Sequence, residues 1–264
     1  MIAPTISLFG LSIQNVSLDA ATRSVVDDAE AGRQRRVFFL NTHCVNVAVK
    51  HGDYLRALQA AGPLYADGSG LALASRLAGS PLIDNVNGTD MFPLLCAQAA
   101  RRGLPIALLG AEPGIVDRCA AAMQARCPGL NVAWRHHGFF TRAEEPKLIK
   151  DLNASGARVV LVAMGVPAQE LWLTRCGPQL TIPVQMAVGG LFDFYSGRRK
   201  RAPAILRRTG LEWTFRLAQE PRRLFRRYIL GNPVFLVRAV RLRIGGKEAL
   251  RNGLPHPARL QPSN

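Results

Sequence analysis

The sequence predicts an α/β protein built on a mainly parallel sheet, and three observations carry that prediction. Short apolar runs rich in Val, Ile and Leu alternate with amphipathic segments of ten or more residues, the pattern of βαβ units. The runs end in Gly, Asn, Asp or Met-Gly, residues that turn a chain where a strand stops. The chain has 264 residues and is 48% hydrophobic, enough for one domain of about 200 residues with a C-terminal appendage.

Taken in order, strands are expected at Val37–Leu40, Pro63–Ala66, Ile106–Leu109, Val132–Trp134, Val159–Ala163 and Val184–Val188. Each is short and bounded by turn residues. Helices are expected between them at Ala48–Ala60, Thr89–Arg102, Pro113–Arg126, Glu144–Ser155 and Ala168–Cys176, where apolar residues recur at helical spacing. Near the end, Pro221 is suited to open a helix running through Leu230. The expected organisation is a core over residues 1–197, a basic amphipathic appendage over 198–252 and a flexible tail over 253–264. No internal repeat or low-complexity segment interrupts it.

Charge is unevenly distributed. The chain carries 34 Lys+Arg and 18 Asp+Glu, a net +16. From Arg198 onward there are 17 basic residues against 3 acidic, a net +14, which leaves +2 for the first 197. Like charges at that density repel one another unless a polyanion is near, so the asymmetry points to a membrane surface or a nucleic acid. At 100° per residue, Arg222, Arg223, Arg226 and Arg227 are expected on one face of the last helix, and Leu224, Phe225, Tyr228 and Ile229 on the other. VFLVRAVRLRI after Pro233 adds apolar bulk and three more arginines. That two-faced pattern fits the headgroup boundary of an anionic bilayer.

Ligands of parallel sheets bind beyond the carboxyl ends of the strands. The rule selects Asn41, Asp67-Gly68, Gly110, Gly165-Val166-Pro167 and Gly189-Gly190. In Tyr65-Ala66-Asp67-Gly68-Ser69-Gly70, a strand-end carboxylate can serve as general base, although Asp-Gly turn chemistry accounts for the pair as well. Leu73 stands where a dinucleotide fingerprint requires its third glycine. That absence counts against a nucleotide-dependent oxidoreductase. Gln169, in the first turn after Gly165-Val166-Pro167, is placed to bond a nucleotide or sugar, or simply to lie at an ordinary helix start. A diglycine such as Gly189-Gly190 lets backbone N–H groups approach a phosphate. In Asn87-Gly88-Thr89-Asp90, Thr89 is read as an N-cap and Asp90 as a first-turn acid suited to the helix dipole.

The five cysteines are scattered without a CxxC pair, as expected of reduced, mostly buried thiols in a cytosolic protein. His43, His51, His136 and His137 have no ligand spacing on one helix, so no metal is expected. His136-His137-Gly138 reads as an exposed turn. No signal-peptide pattern and no apolar run of spanning length is present, so any membrane contact is expected to be peripheral.

Several motifs in order resemble the WecG/TagA/CpsF glycosyltransferases, bacterial enzymes of surface-polysaccharide and teichoic-acid assembly. They are Asn41, Tyr65–Gly68 (YADG), Gly88–Asp90 (GTD), Leu108–Gly110 (LLG), His137–Phe140 (HGFF), MGVPAQE, VGGLFDFYSG followed by KRAP, Gly210–Trp213 (GLEW), and a closing arginine series to Tyr228. The similarity runs from about Val37 to Tyr228.

The resemblance implies a Rossmann-like core of the GT-E type and inverting transfer without a metal or other cofactor. The sugar would pass from a UDP-sugar to a polyprenyl-diphosphate-linked sugar. It implies Asp67 as catalytic base, with Asn41 and Gln169 lining the active site; Gly68, Gly110, Gly165, Gly189 and Gly190 at the strand ends, with Asn85 and Asp90, are expected around the substrates as well. Arg216, Arg222, Arg223, Arg226 and Arg227 would contact phosphate or membrane, and Arg216, Arg222 and Arg226 are the three expected to reach back over the pocket. Donors carrying N-acetylmannosamine, its uronic acid or glucose fit this class. The enzyme would sit peripherally on the cytoplasmic face of the membrane, with homo-oligomers allowed. The chain departs from the family pattern at Phe39, Asn85 and Ala168, all near the expected pocket. A nucleic-acid-binding protein on an α/β core is the other reading of the charge, but it leaves the strand-end motifs unexplained. Nucleic acid is therefore not an expected partner.

Overall fold

The computed structural model describes residues 4–244. The expected tail and the last eight residues of the expected appendage lie outside the described residues. Eight strands form one sheet in the order β1-β2-β4-β3-β8-β7-β5-β6. They are β1 (Thr5–Leu8), β2 (Leu11–Gln14), β3 (Arg35–Leu40), β4 (Leu64–Ala66), β5 (Ile106–Gly110), β6 (Val132–His136), β7 (Val159–Ala163) and β8 (Val184–Ala187). Every neighbouring pair is parallel except β1–β2. All six expected strands are present, and the α/β, Rossmann-like class holds.

The helices are α1 (Leu18–Glu30), α2 (Thr42–Ala48), α3 (Gly52–Gln59), α4 (Ser69–Leu77), α5 (Gly88–Arg101), α6 (Ile115–Arg126), α7 (Glu145–Ala154) and α8 (Ala168–Cys176). Then comes α9 (Leu191–Tyr195), and the basic quarter adds α10 (Ala204–Arg208), α11 (Glu212–Gln219), α12 (Pro221–Phe225), a π turn (Arg226–Leu230) and α13 (Gly231–Ile244). Two local differences from expectation have clear causes. The helix expected over Ala48–Ala60 is confined to Gly52–Gln59, and a separate α2 precedes it because Asn41 caps the chain directly after β3, its Oδ1 accepting from the Cys44 N–H at 3.1 Å. The cap of α5 is Asn87 rather than Thr89, with Oδ1 accepting from the Asp90 N–H at 2.8 Å.

The β1–β2 hairpin has no counterpart in the sequence reading. Its two-residue turn places Phe9 at φ 56° and Gly10 at φ 72°, the mirror-image turn that suits strand twist. A phenylalanine is uncommon there. Burial offsets that cost, since Phe9 is 1% exposed and packs 5.4 Å from the ring of Phe235.

Alternating strand residues feed two cores, as a period of two requires. Phe38, Leu40, Ala107, Leu109, Val160 and Val162 face one side with residues of α2, α3, α7, α8 and α13. Val37, Phe39, Ile106, Leu108, Val159 and Leu161 face the other with α1, α5, α6 and α9. Packing continues past residue 197. Phe235 and Ala239 of α13 belong to the first core, and Asn46 donates from Nδ2 to the Gly231 carbonyl at 2.8 Å. Among the described residues no helix is long and apolar enough to cross a membrane.

Because α13 completes a core, Phe235→Ala should lower unfolding free energy by about 3–5 kcal/mol, read from chemical denaturation. Truncation at Pro221 should destabilise the whole chain, because it removes Leu224, Tyr228, Phe235 and Ala239 from buried positions.

Candidate active site

The carboxyl ends of the central strands open into a cavity of about 620 Å³. Its walls include Asn41 after β3, Asp67 after β4, Ala111 and Glu112 after β5, Gly165 and Val166 after β7, and Gly189 and Gly190 after β8. The roof comes from the basic quarter, with Arg216, Glu220, Arg223, Leu224, Arg227 and Tyr228. Strand-end loops and appendage thus enclose one space.

Asp67 is the carboxylate on the sheet side. Burial raises its pKa above the ordinary carboxylate value, and Arg216 and Arg227 offset only part of that rise. The group is therefore more basic than a carboxylate in water. The Asp67–Gly68 turn is fixed from outside the cavity. The Gly68 N–H donates to Asn85 Oδ1 at 2.6 Å, and Gly68 has φ 97°, which an L side chain rarely adopts.

Gln169 does not reach outward as a helix-start side chain. It is 2% exposed, and its Oε1 accepts from the N–H groups of Gly165 at 3.2 Å and Gly189 at 2.9 Å. Its Nε2 donates to Glu170 Oε1 at 2.8 Å. The side chain therefore brackets the loops after β7 and β8, which form adjacent parts of the cavity wall. Glu170 is 1% exposed. Burial pushes its pKa up to about 7, and its Oε2 has no partner among the described residues.

The cations on the roof differ in their engagement. Arg216 lies 4.7 Å over the Phe194 ring and 3.7 Å from Glu212. Burial acts to lower its pKa, but Tyr228, Glu212 and Asp67 outweigh that and hold it charged. Arg227 stacks on Tyr228 at 5.4 Å, and its Nε is buried without a partner among the described residues. His43 also lines the cavity. Its pKa is lowered to about 4 by burial and then by Arg227, so the imidazole is neutral near pH 7.

The other expected site residues distribute as follows. Asn41, Gly165, Gln169, Gly189 and Gly190 line the cavity with Asp67, whereas Gly68, Asn85, Asp90 and Gly110 do not. Asp90 is paired with Arg201 at 2.7 Å. Burial acts against its ionisation, but Arg201 and Asn87 hold its pKa below the usual carboxylate value. Gly110 serves packing, since a Cβ there would stand 2.3 Å from the Ala163 carbonyl oxygen. Of the three arginines expected over the pocket, only Arg216 lines it. Arg222 and Arg226 do not line it, whereas Arg227 and the partly exposed Arg223 do.

The two-faced helix is likewise corrected. Leu224 and Tyr228 are buried, but Phe225 and Ile229 share the exposed side with Arg222 and Arg226. Spacing i,i+4 joins 222 with 226 and 223 with 227 on separate sides, so burial of 224 and 228 could have selected the inner pair. His43, Asp193, Arg198, Arg199 and Glu220 were not singled out as site residues. His43 follows Asn41 by two positions, and that proximity to a strand end was the available signal.

Residues 6–249 match the model of the glycosyl transferase WecG/TagA/CpsF family. That match reaches beyond the motif-based limits at both ends and takes in the hairpin from Ile6 together with α13.

Glu170 makes stability fall with pH. The unfolded chain releases this proton near 4.5, while the folded chain keeps it until about 7. Its contribution is therefore full below pH 4.5, declines above it, and by pH 7 and beyond has dropped by roughly 3 kcal/mol. Glu170→Gln should flatten the pH 5–7 part of the stability curve measured by denaturant titration.

Proposed function

The chain belongs to the WecG/TagA/CpsF family of glycosyltransferases of cell-surface polysaccharide assembly, and from that premise we propose that it is an inverting transferase using a UDP-sugar donor and a polyprenyl-diphosphate-linked sugar acceptor. The observation that carries this reading is the meeting of Asp67 with Arg216 and Arg227 in one cavity. Transfer of this kind needs a base for the incoming hydroxyl and positive charge for the departing diphosphate. Both are supplied at that point.

In the proposed step the acceptor hydroxyl oxygen attacks the anomeric carbon from the face opposite the diphosphate. Its proton passes to the Asp67 carboxylate as the new carbon–oxygen bond forms. The bond from the anomeric carbon to the diphosphate oxygen breaks, and its electron pair leaves with UDP. General-base assistance of this kind contributes about 10²–10⁴-fold. Guanidinium groups from Arg216 and Arg227 suit the phosphate oxygens in shape and charge. Donors of the N-acetylmannosamine, mannosaminuronic acid and glucose types all fall within the proposal.

The acceptor is lipid-linked, and the outer side of the appendage supports a peripheral seat on an anionic bilayer. Phe225, Ile229, Leu230, Val234, Val237 and Val240 are exposed there, beside exposed Arg222 and Arg226. Apolar side chains flanked by arginine suit the headgroup boundary. On this reading the arginines divide their work, with Arg223 and Arg227 toward the cavity and Arg222 and Arg226 toward lipid.

Asp67→Asn should bind UDP like the wild type while losing at least about 100-fold in transfer, read by UDP release with a synthetic acceptor. Near-normal turnover would remove Asp67 as base. Replacing Phe225 and Ile229 with Ser, together with Arg222→Ala and Arg226→Ala, should cut sedimentation with phosphatidylglycerol vesicles. Turnover of a short-chain soluble acceptor should persist, and unchanged sedimentation would refute the lipid-facing assignment.

A further inference from the structure

Around the cavity runs a string of six charged side chains that the proposed chemistry does not use. Glu112, in the β5–α6 loop, pairs with Arg198 at 2.9 Å. Arg198 lies 3.6 Å from Asp193 of α9, and Asp193 pairs with Arg199 at 3.1 Å. Arg199 reaches Glu220, between α11 and α12, at 2.7 Å, and Glu220 holds Arg223 at 2.5 Å. All six line the cavity. The string therefore crosses from the core loops to the appendage along the wall of the space itself.

The end pairs, Glu112–Arg198 and Glu220–Arg223, are partly open to water and contribute about 0–1 kcal/mol each, while the Arg199 pairs between them are largely shielded, so stability is only a partial reason to assemble three arginines here. Their geometry gives a better one. Arg199 meets Asp193 through Nη1 and Glu220 through Nη2. A guanidinium carries five N–H donors, which leaves its Nε–H and further Nη hydrogens for another acceptor. The diglycine turn lies alongside. A Cβ built on Gly190 would be 3.9 Å from Arg199 Nη1 and 3.8 Å from Asp193 Oδ2, so bare backbone adjoins the guanidinium fork. Burial, then the nearby Arg223 and Arg198, lower the Arg199 pKa against the opposing carboxylates. An added anion would relieve that crowding.

We propose that Arg199, with Arg198 and Arg223, forms a second phosphoanion subsite at the Gly189–Gly190 turn, separate from the cations at Asp67, and that Glu220 is the counter-charge against which a diphosphate competes. The assignment rests on the transferase reading to the extent that this reaction brings two diphosphates, the donor's and the acceptor's, to one cavity. The pairing has a specific consequence. The carboxylates keep the forks oriented, but they also repel an incoming phosphate, so removing an arginine and neutralising its carboxylate should act in opposite directions.

The test is titration calorimetry of the full chain with inorganic pyrophosphate and with UDP, on wild type, Arg199→Ala and Glu220→Gln. Thermal melts would check that each variant is folded. Arg199→Ala should weaken pyrophosphate binding about tenfold or more, the loss of one charge-assisted contact. Glu220→Gln should tighten it several-fold. Wild-type affinity in Arg199→Ala, weakening in both variants, or no pyrophosphate binding by the wild type would overturn the subsite. If pyrophosphate follows the expected signs but UDP binds no more tightly than pyrophosphate, the subsite stands and the uridine-nucleotide reading falls.

Discussion

The cavity depends on one amide. Gln169 Oε1 accepts from both Gly165 and Gly189, so the loops leaving β7 and β8 are held together by a side chain rather than by sheet hydrogen bonds. Leaving those two N–H groups without a partner would cost about 1–3 kcal/mol each. Glu170 gives the arrangement its direction. Because Gln169 Nε2 is bonded to Glu170, the amide oxygen must face the glycines. Gly165 at φ 79° and Gly189 at φ 63° permit the turns that present their N–H groups to it.

A second constraint sets the position of the basic quarter. Such a charge excess suggests a loose, solvated tail, yet Leu224, Tyr228, Phe235 and Ala239 are buried. Gln219 exchanges two hydrogen bonds with the backbone of Lys200, and the Ser69 hydroxyl donates to the Gly210 carbonyl. Anchored in this way, α12 and the π turn hold Arg223 and Arg227 on the inner side and Arg222 and Arg226 on the outer. Hydrophobic burial of residues four apart, Leu224 and Tyr228, thus decides which arginines can meet a ligand and which can meet a surface.

Much of this was legible because parallel sheets write their strands as continuous apolar runs. Val159–Ala163 is buried at every position and was read with its observed limits. The hairpin was not legible, because its turn uses Phe9 in place of the usual Asn-Gly or Asp-Gly signal, and the compensating contact comes from Phe235, more than two hundred residues away. At the site, Asp67 and the glycine turns could be found by their place at strand ends. Gln169 was found as well, but its contacts were not, since hydrogen bonding to a second loop is a tertiary fact. The alternating string from Glu112 to Arg223 was hidden for the same reason. In sequence, Arg198 and Arg199 belong to a charge run, and only folding sets their acidic partners opposite them.

The same electrostatics connect fold to chemistry. In the cavity beyond β4, loss of water favours the protonated form of Asp67. Arg216 and Arg227 oppose that tendency, and both come from the appendage. The last quarter of the chain therefore walls the cavity that holds Asp67 and supplies the cations that moderate the rise in its pKa. Arg216 in turn keeps its charge through Tyr228, Glu212 and Asp67, so carboxylate and guanidinium sustain each other's ionisation. A core stripped of its appendage would retain the strand-end residues but lose the two cations that face Asp67, which makes the basic segment part of the reaction centre on the proposed reading.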